Sequence, residues 1–265
     1  MNDAALTEAT DLLAAMRAGD AAPEEFPAAC RPATVAEGYR LQESLNERLS
    51  AGAAGPTVGH KIGCTSRVMQ EYLKINEPCS GAIHQSDVIN GFGKRAHRNF
   101  HAPGVECEIA VRLGRDLPPQ DKPYDRVSVA DAVDACMAAI EVVDDRWADF
   151  RSVSTPSMIA DDFFNAGCTL GPPAADWRGI DMEAIEGAMF VNGKEIGRGH
   201  GRDVLGHPFE VLTWLANSFS SRGRTLRAGE VVLTGSLVET KWCVPGDIVR
   251  VEIDGLGETG ITFTA

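Results

Sequence analysis

Three glutamates and one lysine are the residues of this chain whose types and spacing invite chemistry. Glu106 and Glu108 stand one residue apart in GVECEIA, a stretch otherwise built of strand formers. On a strand, residues i and i+2 share a face, so the two carboxylates project together with their Cβ atoms about 7 Å apart. Taken alone, the pair fits a solvated face with Ile109 and Val111 turned inward. Glu141 adds another possibility, because it interrupts the apolar run AAIEVVDD, where an unpaired carboxylate is costly to bury. Three converging carboxylates drive one another's pKa up unless a cation neutralises them. An all-oxygen set without Cys or His suits a hard ion such as Mg²⁺, with water or substrate completing its octahedron. On these residues alone, the solvated face and the metal site both stay open.

VGHKIGCTS sets Lys61 between Gly59 and Gly63. Glycines allow a backbone to approach a ligand closely, and the lysine could pair with a carboxylate or relay a proton. A surface lysine in a turn is the plainer alternative. Thr234, Gly235 and Ser236 follow an apolar stretch in LTGS; they could offer hydroxyls and backbone N–H groups to a ligand carboxylate, or simply end a strand. His60, His84, His97, His200 and His207 show no metal-ligand spacing, and GxSxG, P-loop and dinucleotide fingerprints are missing. Cys64, near Lys61, is either reactive or a small packed hydrophobe.

The elements that must position these groups read as helices first and strands after. Leu6, Ala9, Leu13 and Met16 recur at helical spacing, and Gly19 offers a stop. Thr34 and Glu37 form a capping-box pattern that opens a second helix through Tyr39, Gln42, Leu45 and Leu49. AGAAGP breaks that helix, dividing an N-terminal helical part, residues 1–55, from a catalytic part, residues 56–265. A short helix is expected over Ser66–Leu73, then a strand over ECEIAVRL. Ser128 and Asp131 predict a helix start that carries Val133, Cys136 and Met137 on one face, before a buried strand in AAIEVVDD. Asn192-Gly193 and Asp254-Gly255 predict hairpin turns. Pro208 opens a further helix that stops at Gly223, and the tail supplies three strands. The sum is an α+β chain.

Composition bounds what the chain does. With 265 residues, 44% of them hydrophobic, it can bury a sizeable core. A net charge of −13 argues against nucleic acid or an anionic membrane as partner, and it means an anionic substrate needs a local cation. Seven scattered cysteines without a CxxC pair predict a reduced protein. The acidic start, MNDAALTEATDLLAAMRAGD, lacks signal-peptide character, and no apolar run approaches the roughly 20 residues of a membrane span. The expectation is a cytoplasmic protein.

Several blocks in order then carry a resemblance: GHKIG from Gly59, VECEIA from Val105, AIEVVDDR from Ala139, IADDFFNAGCTLG from Ile159, LTGSL from Leu233 and VPGD from Val244. Over nearly its whole length the chain resembles the 2-keto-4-pentenoate hydratase and 4-oxalocrotonate decarboxylase group of the fumarylacetoacetate hydrolase superfamily. The resemblance implies a fumarylacetoacetate-hydrolase-like mixed β-roll with an N-terminal helical part. It implies Mg²⁺, with Mn²⁺ as an alternative, held by Glu106, Glu108 and Glu141. It puts Lys61 in the substrate pocket as a catalytic group, and sets Thr234, Gly235 and Ser236 against the substrate's carboxylate end. The activity implied is hydration of a 2-hydroxyalka-2,4-dienoate (2-oxo-enoate) to a 4-hydroxy-2-oxoalkanoate in aromatic-compound catabolism, by a homo-oligomer. Decarboxylation of a vinylogous 2-oxo acid, acylpyruvate C–C hydrolysis and a non-catalytic metal- and 2-oxoacid-binding subunit are its alternatives. The chain departs from the pattern in three places. Asn76 stands where the family usually has aspartate, Phe163 and Phe164 replace small polar residues, and Lys241 and Trp242 follow TGS. The two phenylalanines predict a bulkier and more apolar pocket.

Overall fold

The first two helices form where the apolar spacing places them. Helix α1 (Asp3–Ala18) is capped by Asn2, whose side chain accepts from the Ala5 N–H, and it ends at Gly19 in the left-handed region (φ 84°). It buries Ala9, Leu13 and Met16. In α2 (Val35–Ser50) the Thr34 hydroxyl accepts from the Glu37 N–H. The return arm of that box lands one residue early, on the Ala33 N–H at 2.8 Å. The computed structural model describes residues 1–73 and 75–265.

From Thr57 onward strands dominate: β1 (Thr57–Gly63), α3 (Arg67–Leu73), β2 (Cys79–His84), β3 (Val88–Asn90), β4 (Phe92–Ala96), β5 (Pro103–Leu113) and α4 (Arg126–Ala130). Then come β6 (Val133–Asp144), α5 (Thr155–Ala160), β7 (Asn165–Leu170), β8 (Glu186–Val191), β9 (Lys194–His200) and α6 (Pro208–Ser221). The chain closes with β10 (Val231–Ser236), β11 (Lys241–Trp242), β12 (Ile248–Ile253) and β13 (Gly257–Thr264). One sheet runs β2-β1-β10-β5-β6-β7-β3, with β11 pairing to the start of β5; the other runs β4-β13-β12-β8-β9. Both are mixed, since β1–β10, β3–β7 and β4–β13 are parallel pairs and the rest antiparallel. The Asn192-Gly193 turn has both φ values positive (52° and 80°), the geometry a two-residue hairpin needs.

The main core lies on one face of the first sheet. Val105, Cys107, Ile109 and Val111 of β5 and Ala138, Ile140 and Val142 of β6 meet Met189, Val249, Val251, Ile261 and Phe263 of the second sheet. Alternation then sends Glu106, Glu108 and Glu141 to the opposite face. That face is not solvated. A smaller cluster containing Ala110, Met137, Ala139 and Leu233 lies on it, and a third cluster built from α1, α2, α5 and Phe163 packs nearby.

One sequence expectation fails. Val133, Cys136 and Met137 lie on β6, not on a helix, and α4 is a single short stretch capped by Asp125 rather than Ser128. The cause is burial on both faces: a strand covered on each side reads as a continuous apolar run without period-two alternation. The register pairs β6 with β5 from Leu113↔Val133 to Pro103↔Asp144.

The N-terminal helices are pinned by buried charge. Arg17 of α1 reaches Asp162 at 3.0 Å and Asp161 at 3.2 Å, while Arg146 holds Asp161 at 2.9 Å. Gln42 of α2 donates to the carbonyls of Ser80 and Ile159, both at 2.7 Å. These bonds hold a strained turn: Asp162, Phe163 and Phe164 all have positive φ (50°, 50° and 68°). Each such non-glycine residue costs roughly 1–2 kcal/mol. Asp162 offsets that cost by accepting from Arg17, from the Asn46 amide and from the Ala82 N–H. All seven cysteines are buried and free. Among the described residues, no helix is long and apolar enough to cross a membrane.

Candidate metal centre

Strand pairing assembles the site from three ladders. The β5–β6 register sets Glu106 directly opposite Glu141, and Glu108 sits two residues along the same face. The β5–β10 register sets Ser236 opposite Glu108. Strand β1 runs beside β10 and delivers Lys61, which pairs with Leu233 in register. The outcome is that Glu106, Glu108 and Glu141 each bring an oxygen within 4.8 Å of the others. The Lys61 ammonium stands 3.0 Å from Glu141 Oε1. Glu108 and Glu141 are fully buried, Lys61 is 2% exposed, and Glu106 is half-buried.

Each carboxylate is held from behind by one oxygen. Glu108 Oε2 accepts from the Gly235 N–H at 2.7 Å. Glu141 Oε1 accepts from Lys61 and from the Asn165 amide at 3.1 Å. Glu106 Oε1 accepts from the Thr240 hydroxyl. The opposite oxygens of Glu108 and Glu141 are buried and, among the described residues, have no hydrogen-bond partner. A buried carboxylate oxygen left without a donor is costly, and a cation held by the three glutamates would remove that cost. Three oxygen donors, no sulfur and no imidazole fit a hard divalent ion that retains further positions for water or substrate.

Electrostatics agree with the geometry. Burial first, then Glu141 and Glu106, push the Glu108 carboxyl well above its ordinary range. Burial and Glu141 likewise raise Glu106, against the pull of Lys61. Burial works to depress the Lys61 ammonium, but Glu141, Glu106 and Glu108 outweigh it and hold Lys61 above the usual lysine range. Lys61 is therefore a fixed positive charge in the metal-free protein, insufficient by itself for three carboxylates.

The TGS residues do more bracing than their sequence suggests. Thr234 donates to the Ile109 carbonyl at 2.8 Å, and Ser236 donates to the Val238 carbonyl at 2.6 Å. Gly235 has φ 102°, and a Cβ there would fall 2.3 Å from Thr65 Oγ1. Only glycine lets its N–H turn toward Glu108 at this place. Asn165 and Thr240 touch the carboxylates and were not singled out by motif reading. Asn165 is inside the IADDFFNAGCTLG block that carries the family resemblance, a signal that could have marked it; Thr240 had none. Among the described residues the histidines form no metal-ligand group, and Cys64 is packed in the apolar cluster beside Phe163.

Known proteins are similar to this chain in sequence and fold. The model of the fumarylacetoacetate (FAA) hydrolase C-terminal family matches residues 72–264. The chain is 32% identical over 229 residues to the 2-keto-4-pentenoate hydratase of Paraburkholderia xenovorans (strain LB400), covering 86% of this chain and 84% of that protein. It is 33% identical over 230 residues to the 2-hydroxyhexa-2,4-dienoate hydratase of Comamonas testosteroni, covering 85% and 82%. In fold it is similar to the 4-oxalocrotonate decarboxylase from Pseudomonas putida G7 complexed with magnesium and adipate, with a TM-score of 0.92, 23% identity and coverage of 99% and 98%. With its mixed sheets, helical start and four-residue charged centre, the chain belongs to the fumarylacetoacetate hydrolase family.

Proposed function

We propose that this protein is a divalent-cation-dependent hydratase that converts a 2-hydroxyalka-2,4-dienoate into a 4-hydroxy-2-oxoalkanoate. The observation that carries the reading is the trio Glu106, Glu108 and Glu141, with two buried oxygens lacking donors, set beside Lys61. The hydratase relatives supply the substrate class. Glu106, Glu108 and Glu141 would hold the ion, Mg²⁺ or Mn²⁺; when bound, it supplies Lewis-acid stabilisation of negative charge on the substrate's carboxylate and C2 oxygen.

The chain's own residues account for the rest. Lys61 keeps its proton and faces Glu141, so it balances the substrate's charge and stands ready to pass a proton. Net hydration requires the enol proton to leave the C2 oxygen, a proton to arrive at C5, water to add at C4 and a proton to settle at C3. Lys61 Nζ, 3.0 Å from Glu141, is the group assigned to relay a proton. Thr234, Gly235 and Ser236 form the floor at the carboxylate end. Of these, Ser236 is the half-buried one whose hydroxyl can rotate from its carbonyl partner to the substrate. Thr240 and Asn165 fix the carboxylate rotamers, as outer hydrogen bonds to metal ligands do. We also assign residues 1–55 to an N-terminal helical part and residues 56–265 to catalysis. The assembly expected from the resemblance is a homo-oligomer.

The test is spectroscopic. Purified protein with Mg²⁺ or Mn²⁺ should bleach the ultraviolet absorbance of 2-hydroxypenta-2,4-dienoate, with no CO₂ released. An unchanged absorbance would sink the reading, and CO₂ release would replace it with decarboxylation.

A further inference from the structure

The strained turn at 162–164 places the Phe163 ring beside Lys61. Phe163 is 6% exposed, and its centroid lies 5.2 Å from Lys61 Nζ. Its edge occupies the notch left by Gly63: a Cβ on that glycine would stand 2.7 Å from Phe163 Cδ1 and 3.6 Å from Lys61 Nζ. Phe164 packs edge-on against Phe163 at 5.5 Å, and Phe150 against Phe164 at 5.9 Å. Phe164 and Phe150 are both half-buried. Three aromatic rings therefore run from the Lys61 ammonium toward the surface.

We infer that Phe163 is a specificity-determining residue: it is the wall for the substrate's tail, selecting a 2-oxo or 2-hydroxydienoic acid with an uncharged tail and rejecting one that ends in a second carboxylate. The inference deepens the proposed function and rests on it. A ligand reaching Lys61 must lie next to this ring, because Phe163, Gly63 and Lys61 are contiguous. A distal carboxylate would need a cation there. The cations near the wall, half-buried Arg17 and buried Arg146, are already paired with Asp161, Asp162 and Asp144. Lys61 is paired with Glu141. The aromatic face carries negative quadrupole density and favours cations or apolar groups over anions. An apolar tail meets no such penalty and gains burial.

Calorimetric titration of the Mg²⁺-saturated full chain with 2-oxohexanoate, 2-oxoadipate and oxalate tests this. The first two differ at the far end, methyl against carboxylate, while oxalate has the chelating end and no tail. The wild type should bind 2-oxohexanoate at least about tenfold more tightly than 2-oxoadipate. Phe163→Ala should cut that ratio to below about threefold while oxalate affinity stays within about twofold, and Phe163→Leu should keep the ratio. Equal affinity of the wild type for the two six-carbon acids would overturn the inference, as would an unchanged ratio in Phe163→Ala. Should Phe163→Ala fail to fold, the wild-type ratio decides. If oxalate fails to bind the wild type, the metal-site reading itself falls and takes this inference with it.

Discussion

Replacing Glu108 by glutamine should make the metal-free protein more stable and abolish its response to divalent cations. The magnitude follows from the site. Glu108 has an oxygen within 4.8 Å of an oxygen of both Glu106 and Glu141. At an effective dielectric of about 20, each such pair of charges repels by about 3.5 kcal/mol. The attraction of Lys61 offsets part of this. The cost also has a ceiling, because the carboxyl protonates instead of holding an arbitrarily expensive charge. From its ordinary value of 4.5 to pH 7, at about 1.4 kcal/mol per unit, that ceiling is about 3.5 kcal/mol. Glutamine keeps the shape, and its carbonyl can still accept from the Gly235 N–H. We expect Glu108→Gln to be about 1–3 kcal/mol more stable than wild type in EDTA, measured by urea unfolding at pH 7. Mg²⁺ at about a hundred times its Kd should stabilise the wild type by about 2.7 kcal/mol and leave the variant unmoved. A variant less stable than wild type in EDTA, or one that Mg²⁺ stabilises equally, would refute the reasoning.

Three further outcomes follow from the same geometry. Lys61→Met strands Glu141 without its ion partner, so the metal-free protein should lose about 3–5 kcal/mol in urea unfolding; turnover of the dienoate should fall by about 10²–10⁴-fold, and cation affinity should rise. Thr240→Val removes the donor to Glu106 and should weaken Mn²⁺ binding, read by calorimetry, by about 10–100-fold with the unfolding midpoint in EDTA little changed. The third concerns pH: Glu106 and Glu108 have folded-state pKa values raised above their unfolded ones, so the stability they allow is complete below the ordinary carboxylate range and is lost as pH rises through the raised values. Metal-free protein should therefore unfold more easily at about pH 8 than at about pH 5, while Mg²⁺ affinity climbs over the same interval with proton release, measured by calorimetry in two buffers of different ionisation enthalpy.

Much of this site was legible in the sequence because strand alternation is local. Glu106 and Glu108 share a face by counting alone, and Glu141 drew notice as a charge in an apolar run. What counting could not supply was the ladder register that sets Glu106 opposite Glu141. Residues 133–137 pattern as helix in the sequence yet form strand, because β6 is covered on both faces and Ala, Cys and Met carry little β signal of their own. Lys61 was found through its flanking glycines, although the strand that delivers it was not. Thr240 acts on Glu106 across 134 residues of chain, so no local pattern could reveal it. Phe163 and Phe164 stood out as departures from the family pattern; their left-handed backbone, held by Asp162, shows what they form.

The central claim is that the three glutamates bind one ion, and a crystal soaked with Mn²⁺ and oxalate tests it most directly by anomalous scattering. A single strong peak is expected about 2.1 Å from one oxygen each of Glu106, Glu108 and Glu141, with oxalate on its open side. No peak there, with the three carboxylates still held only by Lys61, Asn165, Thr240 and the Gly235 N–H, would contradict it.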